Sequence, residues 1–327
     1  MQPYFSVLIP VFNQVGLMDQ CIESLKKQTF GDLEIIIVDD GSTDESLKML
    51  EGFAKEDSRI RILRHEKNKS LAAARYTAMK EAKGQYILFL DSDDYYFDYT
   101  CEKIHNYLME NPVDIVRFGY YGIRTDMTEE FPPVKTEDPY GALLNGEITP
   151  TVWKNCYSKS VIEKTLDRTE SFYCNMGEDV FWGTVLYSIA ESFGTLDEKL
   201  HNYLMGEGMS TNVTNQTIEK FKRNLASTTE CGRQLVKYIS KYDPENLDKV
   251  QTKIDTMQKY ILLQAVVGKQ SMCDVVTLIS LFDNGVNPAV YQYGCYKLIP
   301  YVVRMAYGIT DEMMDQLGIH FDKNIFS

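Results

Sequence analysis

Basic residues are in short supply in this chain: 34 Lys and Arg stand against 47 Asp and Glu, a net charge of -13 at pH 7. Nucleic acid and anionic lipid both need a positive surface to hold their phosphates, so neither is an expected partner. A phosphate bound through a metal ion stays open, because there the protein supplies carboxylates and the ion supplies the positive charge. The seven cysteines (Cys21, Cys101, Cys156, Cys174, Cys231, Cys273 and Cys295) include no C-x-x-C pair and are odd in number. Reduced thiols in a cytoplasmic protein are the expected state. The opening M-Q-P-Y-F-S-V-L-I-P lacks a basic n-region, so no signal peptide is expected. No apolar run reaches membrane-spanning length, and Ile261 to Val267 is interrupted by Gln264, so no transmembrane segment is expected. Internal repeats and low-complexity tracts are absent as well.

What is present supports a large core. The 327 residues are 44% hydrophobic and 12% aromatic, enough for one generous or two ordinary domains. Buried strand and amphipathic helix alternate from the start, as in a parallel sheet covered by helices. Phe5 to Ile9, Leu33 to Val38, Arg59 to Leu63, Tyr86 to Leu90 and Val113 to Gly119 read as strands. Val15 to Gln28 carries an apolar stripe at Leu17, Cys21, Ile22 and Leu25 and reads as a helix. A second helix, capped by Ser42 or Thr43, runs to about Ala54, and a third spans Ala72 to Ala82. The Pro-rich Phe131 to Pro139 reads as a loop or crossing segment. Beyond about Asn215 the apolar spacing turns helical, as at Ile218, Phe221 and Leu225 and later Val250, Ile254, Met257 and Ile261. A boundary is expected near residues 208 to 216, dividing the chain into 1–212 and a helical region 213–327.

The chemistry gathers just past the strand ends, the edge where open α/β sheets bind ligands. In Y-I-L-F-L-D-S-D-D-Y-Y, Tyr86 to Tyr96, a run of apolar residues ends on Asp91, Asp93 and Asp94. Three like charges so close repel one another unless a cation or full solvation offsets them. D-D-G-S-T-D, Asp39 to Asp44, ends the second strand; a strand end, turn and cap would also use those residues. Glu178-Asp179 opens a further helical pattern, where acids also complement a helix dipole.

In order, S-V-L-I-P-V-F-N (Ser6 to Asn13), I-I-V-D-D-G-S-T-D (Ile36 to Asp44), A-A-A-R (Ala72 to Arg75), G-Q-Y-I-L-F-L-D-S-D-D (Gly84 to Asp94) and G-E-D-V-F-W (Gly177 to Trp182) resemble the family 2 glycosyltransferases over about two thirds of the chain. That resemblance implies a GT-A fold: an α/β, Rossmann-like, mostly parallel sheet flanked by helices, here with a mainly helical C-terminal region. It implies a D-x-D motif at Asp91-Ser92-Asp93 that holds Mn²⁺ or Mg²⁺ against the diphosphate of a nucleotide sugar, with Asp93 as ligand. Asp91 would contact ribose or metal-bound water, and Asp94 lies beside them. Asp40 matches the residue that accepts a hydrogen bond from uracil, with Asp39 next to it and Pro10, Val11 and Asn13 lining the nucleoside pocket. Arg75 matches an arginine that contacts base or diphosphate, although Ser70 and Tyr76 depart from that motif's Gly and Asn. Asp179 matches the general base of inverting members, with Glu178 at its side. His201 falls in a segment that closes over the donor.

The implied activity is metal-dependent, inverting transfer of a hexosyl or N-acetylhexosaminyl group from a UDP-sugar to a saccharide or glycoprotein acceptor, as in bacterial surface glycan synthesis. A cytoplasmic enzyme, peripheral at the inner face of the membrane, is the implied setting. The helical region, with the aromatic stretch Tyr291 to Val303, would cover the acceptor, form a homo-oligomer or dock a partner, or simply pack as core. A dehydrogenase is disfavoured because the first strand is followed by P-V-F-N-Q-V-G and no G-x-G-x-x-G. A dehalogenase-like phosphatase is disfavoured because its D-x-D ends an early strand. A catalytically silent nucleotide-sugar binder or assembly subunit is the remaining alternative; such a protein has no use for a base at Asp179.

Overall fold

A computed structural model describes residues 2–205, 217–267, 272–281 and 287–294. Nine strands form one sheet: β1 (Phe5–Val11), β2 (Leu33–Asp39), β3 (Ile60–Arg64), β4 (Tyr86–Phe89), β5 (Tyr95–Tyr96), β6 (Ile115–Ile123), β7 (Thr128–Phe131), β8 (Asn155–Ser158) and β9 (Phe193–Leu204). Their order is β3-β2-β1-β4-β8-β6-β9-β5, with β7 on the edge of β6. Pairing is parallel through β3-β2-β1-β4 and again between β6 and β9. Inserted antiparallel between β4 and β6, β8 makes the whole sheet mixed.

The continuous apolar runs exist because the central strands are buried on both faces. Phe5, Val7, Ile9 and Val11 of β1 point into a core with α1 (Met18–Lys26) and α2 (Ser46–Glu56), whereas Leu8 points into the opposite one. β4 divides in the same way, Leu88 to the first side, Ile87 and Phe89 to the second. That second core is closed by α3 (Leu71–Glu81), α5 (Pro139–Leu144), α6 (Lys159–Arg168) and α7 (Glu178–Ile189), while α4 (Thr100–Glu110) lies with α1.

The helical region comprises α8 (Ile218–Tyr242), α9 (Leu247–Val267), α10 (Met272–Ser280) and α11 (Pro288–Tyr293). The expected boundary at 208–216 lies outside the described residues, as does the part of Tyr291 to Val303 beyond Gly294. Cys231, Leu235, Tyr238 and Ile239 of α8 and Val250 and Ile254 of α9 pack into the same core as Trp182 and Leu186 of α7. A smaller cluster joins Phe221 and Leu225 of α8 to Ile261, Leu262, Leu278 and Val290.

Two glycines position α7. Gly177 caps it at φ 91°, a left-handed conformation that disfavours any residue with a Cβ. Gly183 lets the 149–154 loop approach, since a Cβ there would lie 2.0 Å from the Pro150 carbonyl oxygen. Gly183→Ala is therefore expected to lower stability by about 1–3 kcal/mol, because the contact is with backbone that must move. Urea unfolding measures this, and an unchanged midpoint would contradict the close approach.

Candidate active site

The loop ends of β1, β2 and β4 and the N-termini of α3 and α7 converge on one side of the sheet. Here Arg75, on the first turns of α3, is 1% exposed. Its Nη2 donates to Asp91 Oδ1 at 2.8 Å, and its Nη1 donates to both Asp179 Oδ1 at 2.7 Å and Glu178 Oε1 at 3.0 Å. One buried guanidinium thus gathers the first carboxylate of the D-x-D and both acids of the E-D pair. A lone buried charge would be unfavourable, and this arrangement pairs it three times over. Burial works to lower the Arg75 pKa, but the three carboxylates outweigh it and hold the guanidinium charged. Arg75, expected to contact base or diphosphate, has both Nη groups engaged by carboxylates here.

Three acids around one cation leave an excess of negative charge. Burial, and then the neighbouring Asp179, push the Glu178 carboxyl well above its usual range, with Arg75 opposing. Burial raises Asp179 as well, again against Arg75, and the nearby Val152 N–H also works against the rise. The two adjacent acids differ in access, as expected for neighbours about 100° apart on a helix. Glu178 is 6% exposed, whereas a quarter of the Asp179 side chain reaches the surface.

Past β4 the acids separate into different environments. Asp94 is 1% exposed; its Oδ1 accepts from the Leu204 N–H at 2.9 Å and its Oδ2 meets His201 Nε2 at 3.0 Å. Burial and the Asp91 charge push Asp94 up to about 8, and burial pushes His201 down to about 3. A neutral acid bonded to a neutral imidazole follows, tying the D-x-D loop to β9. His201 is further fixed by Trp153, whose ring stacks on it at 4.5 Å and on Tyr203 at 5.2 Å. Asp93 is half-buried, and no other described residue hydrogen-bonds its carboxylate. Burial and the charges of Asp91 and Asp94 push it up to about 7. Ser92 between them is buried.

Among the described residues no three His, Cys, Asp or Glu side chains are grouped to hold a metal. The donor set is thus an available Asp93 carboxylate and whatever Asp91 offers beside its bond to Arg75. That fits a hard divalent ion that takes one or two carboxylates and fills its remaining positions with substrate phosphates and water.

The β2 end is organised around its two aspartates. Asp40 is buried, and its carboxylate accepts from the backbone N–H groups of Lys69 and Ser70, both at 2.8 Å. It also meets His65 Nδ1 at 2.6 Å, and His65 Nε2 meets Thr77 Oγ1 at 2.9 Å. Asp40 therefore holds the turn into α3, a role the sequence did not suggest. Asp39 accepts from the Ser42 N–H through Oδ1, while its buried Oδ2 has no hydrogen-bond partner and lies 3.6 Å from Arg64 Nε. Asn13, at φ 52°, accepts from the Thr43 N–H and donates its own N–H to Ser42 Oγ, tying the β1 loop to this turn. Pro10 and Val11 end β1 and are buried. The N-cap position of α2 is Glu45, which makes no side-chain cap bond, so the expected Ser42 or Thr43 cap is not used; Asp44, just before it, accepts from the Ser46 N–H.

Sequence reasoning missed His65, Trp153 and the 149–154 loop. Trp153 carries the one available signal, being one of only two tryptophans. A hollow of about 350 Å³ lies beside α1 and β5, lined by Gln20, Glu23, Lys27, Tyr95, Phe97 and Tyr99; none of the carboxylates described above lines it. Among the described residues no helix is long and apolar enough to cross a membrane.

Known proteins resemble this arrangement in sequence and in fold. The chain is 32% identical over 218 residues to the uncharacterized glycosyltransferase EpsJ of Bacillus subtilis, covering 62% of this chain and 61% of that protein. It is 36% identical over 121 residues to the glycosyltransferase GlyG of Streptococcus pneumoniae, covering 37% and 40%. It therefore spans less than two thirds of either relative. S. aureus TarS 1–349, solved in complex with UDP-GlcNAc, superposes with a TM-score of 0.60 over 97% of this chain and 93% of that one; at 20% identity this likeness speaks for the fold. The family model described as glycosyl transferase family 2 matches residues 6–169, half of the chain. With the sheet and carboxylates placed as above, the chain belongs to glycosyl transferase family 2.

Proposed function

We propose that this protein transfers a sugar from a UDP-sugar to an acceptor hydroxyl with inversion at the anomeric carbon. The observation that carries the reading is the division of labour among the acids: Asp93 is left available while Asp179 is held by Arg75 with a quarter of its side chain at the surface. Asp93, with Asp91, would hold Mn²⁺ or Mg²⁺. When bound, the ion would offset charge developing on the departing diphosphate. Asp179 would take the acceptor hydroxyl's proton as the oxygen attacks, the role of a general base within hydrogen-bond reach. Asp91, through Arg75, links the donor side of the site to that base. The nucleoside would lie over Pro10, Val11 and the Asp39–Asp40 turn, whose shape Asp40 and Asn13 fix. UDP-GlcNAc in TarS supports a UDP-sugar donor, and the glycosyltransferase names of the bacterial relatives support sugar transfer.

Calorimetric titration of UDP, with and without Mn²⁺, tests the donor site. UDP is expected to bind in a metal-dependent way, and Asp93→Ala to weaken that binding by about tenfold or more, the loss of one charged ligand. Equal affinity in the variant, or binding indifferent to metal, would remove Asp93 from the site.

A further inference from the structure

Arg117 stands on β6 in the direction of α7, with 5% of its surface exposed. Its Nη2 donates to Thr195 Oγ1 at 2.8 Å, while Nε and Nη1 are buried without a hydrogen-bond partner among the described residues. A buried guanidinium with unpaired N–H groups is a costly arrangement that folding alone does not account for. Beside it is Lys154, one residue before Asn155, which pairs with Arg117 across the strands. The Lys154 ammonium reaches the surface and bonds Thr149 Oγ1. Neither Arg117 nor Lys154 forms an ion pair among the described residues. Burial and the charge of Arg117 push Lys154 down to about 8, while Asp179 pulls the other way. Two neighbouring cations with no ion pair among the described residues are conspicuous in a chain of net charge -13.

Their position relates them to the base. The Asp179 charge acts on Lys154, and Val152, whose N–H is near the Asp179 carboxylate, lies two residues before Lys154 on the same loop. Two residues of chain span at most about 7 Å. An in-line displacement with inversion keeps the attacking oxygen and the leaving diphosphate on opposite faces of the sugar. Cations on the flank of the base are therefore on the acceptor's side. The net negative protein repels an anionic acceptor at a distance, so a local pair of cations would be needed to hold one.

We infer that Arg117 and Lys154 form an oxyanion subsite for the acceptor, which accordingly carries a phosphate or carboxylate near the hydroxyl that receives the sugar. The inference rests on the glycosyltransfer reading for its acceptor assignment, but the anion site can be measured by itself. Inorganic phosphate and, separately, glucuronate are titrated into the full chain at constant ionic strength, before and after saturation with UDP and Mn²⁺. One of the two is expected to saturate in both conditions, and Lys154→Met to weaken it about tenfold, as for a lost charge-assisted contact. Preference for phosphate would identify a phosphorylated acceptor; preference for glucuronate, a uronic acid. Arg117→Gln should act in the same direction, and if it fails to fold, the partly exposed Lys154 variant still decides. Saturation by neither anion, displacement of phosphate by UDP, or an undiminished affinity in Lys154→Met would each overturn the subsite. Failure of UDP itself to bind would instead remove the donor reading, and anion binding lost in Lys154→Met would still stand.

Discussion

Replacing Asp179 with Asn is expected to lower sugar transfer by about 10²–10⁴-fold while leaving UDP affinity close to that of the unaltered protein. The substitution preserves shape and an oxygen that can accept from Arg75 and from the Val152 N–H. It removes the capacity to take a proton, together with one of the three carboxylate charges around Arg75. Glu178→Gln serves as the companion: burial pushes that carboxyl well above its usual range, and it is 6% exposed, so an amide of the same shape should reduce the rate far less. Single-turnover transfer with a UDP-sugar, alongside UDP titration, separates the two variants. Unchanged turnover in Asp179→Asn would withdraw the base assignment. Binding of UDP without turnover in the unaltered protein would favour the silent nucleotide-sugar binder.

The second large effect is on stability. Arg75→Met should destabilise the fold by about 3–5 kcal/mol, the usual cost of stranding partners of a buried ion pair. A value near the lower end is expected, because Asp91 and Asp179 are 26% and 25% exposed and water can compensate them in part. Glu178, at 9% side-chain exposure, has no such relief. Arg75→Lys should recover only part of the loss, since an ammonium cannot reproduce a planar fork that reaches three carboxylates. The measurement is a urea midpoint, with the slope checked for constancy so that the difference reports stability and not a changed unfolded state. A midpoint within error of the unaltered protein would mean that the guanidinium is dispensable to the cluster.

Legibility in the sequence follows how a strand is buried. β1, β2 and β4 read directly because a short, continuous apolar run between turn residues fits a strand buried on both faces, and α1 carries an apolar stripe, whereas β3, I-R-I-L-R, is buried only at Ile60. β9 does not read: F-G-T-L-D-E-K-L-H-N-Y-L mixes charged residues into a strand that curves through a register irregularity beside β6. β5 and β8, two and four residues long, are too short to establish a period. At the site, the acids are visible as clusters, but their partners are not. Arg75 lies 16 residues from Asp91 and more than 100 from Glu178 and Asp179, a separation that only the fold closes. Likewise nothing local marks Asp40 as the acceptor for Lys69 and Ser70, because backbone donors have no sequence signature.

The packing of α8 and α9 against α7 has a consequence for how the chain comes to be folded on the ribosome. Phe181, Trp182 and Leu186 are made well before the residues that complete their core, of which Ile254 is the last buried one among the described residues. Ile254 follows the end of α7 at Ile189 by 65 residues (254 − 189). At roughly 5–20 residues per second, that is about 3–13 s of synthesis. For that interval the nascent chain carries an aromatic face with its final neighbours not yet made, the stage at which it is most open to capture by a chaperone or by another chain.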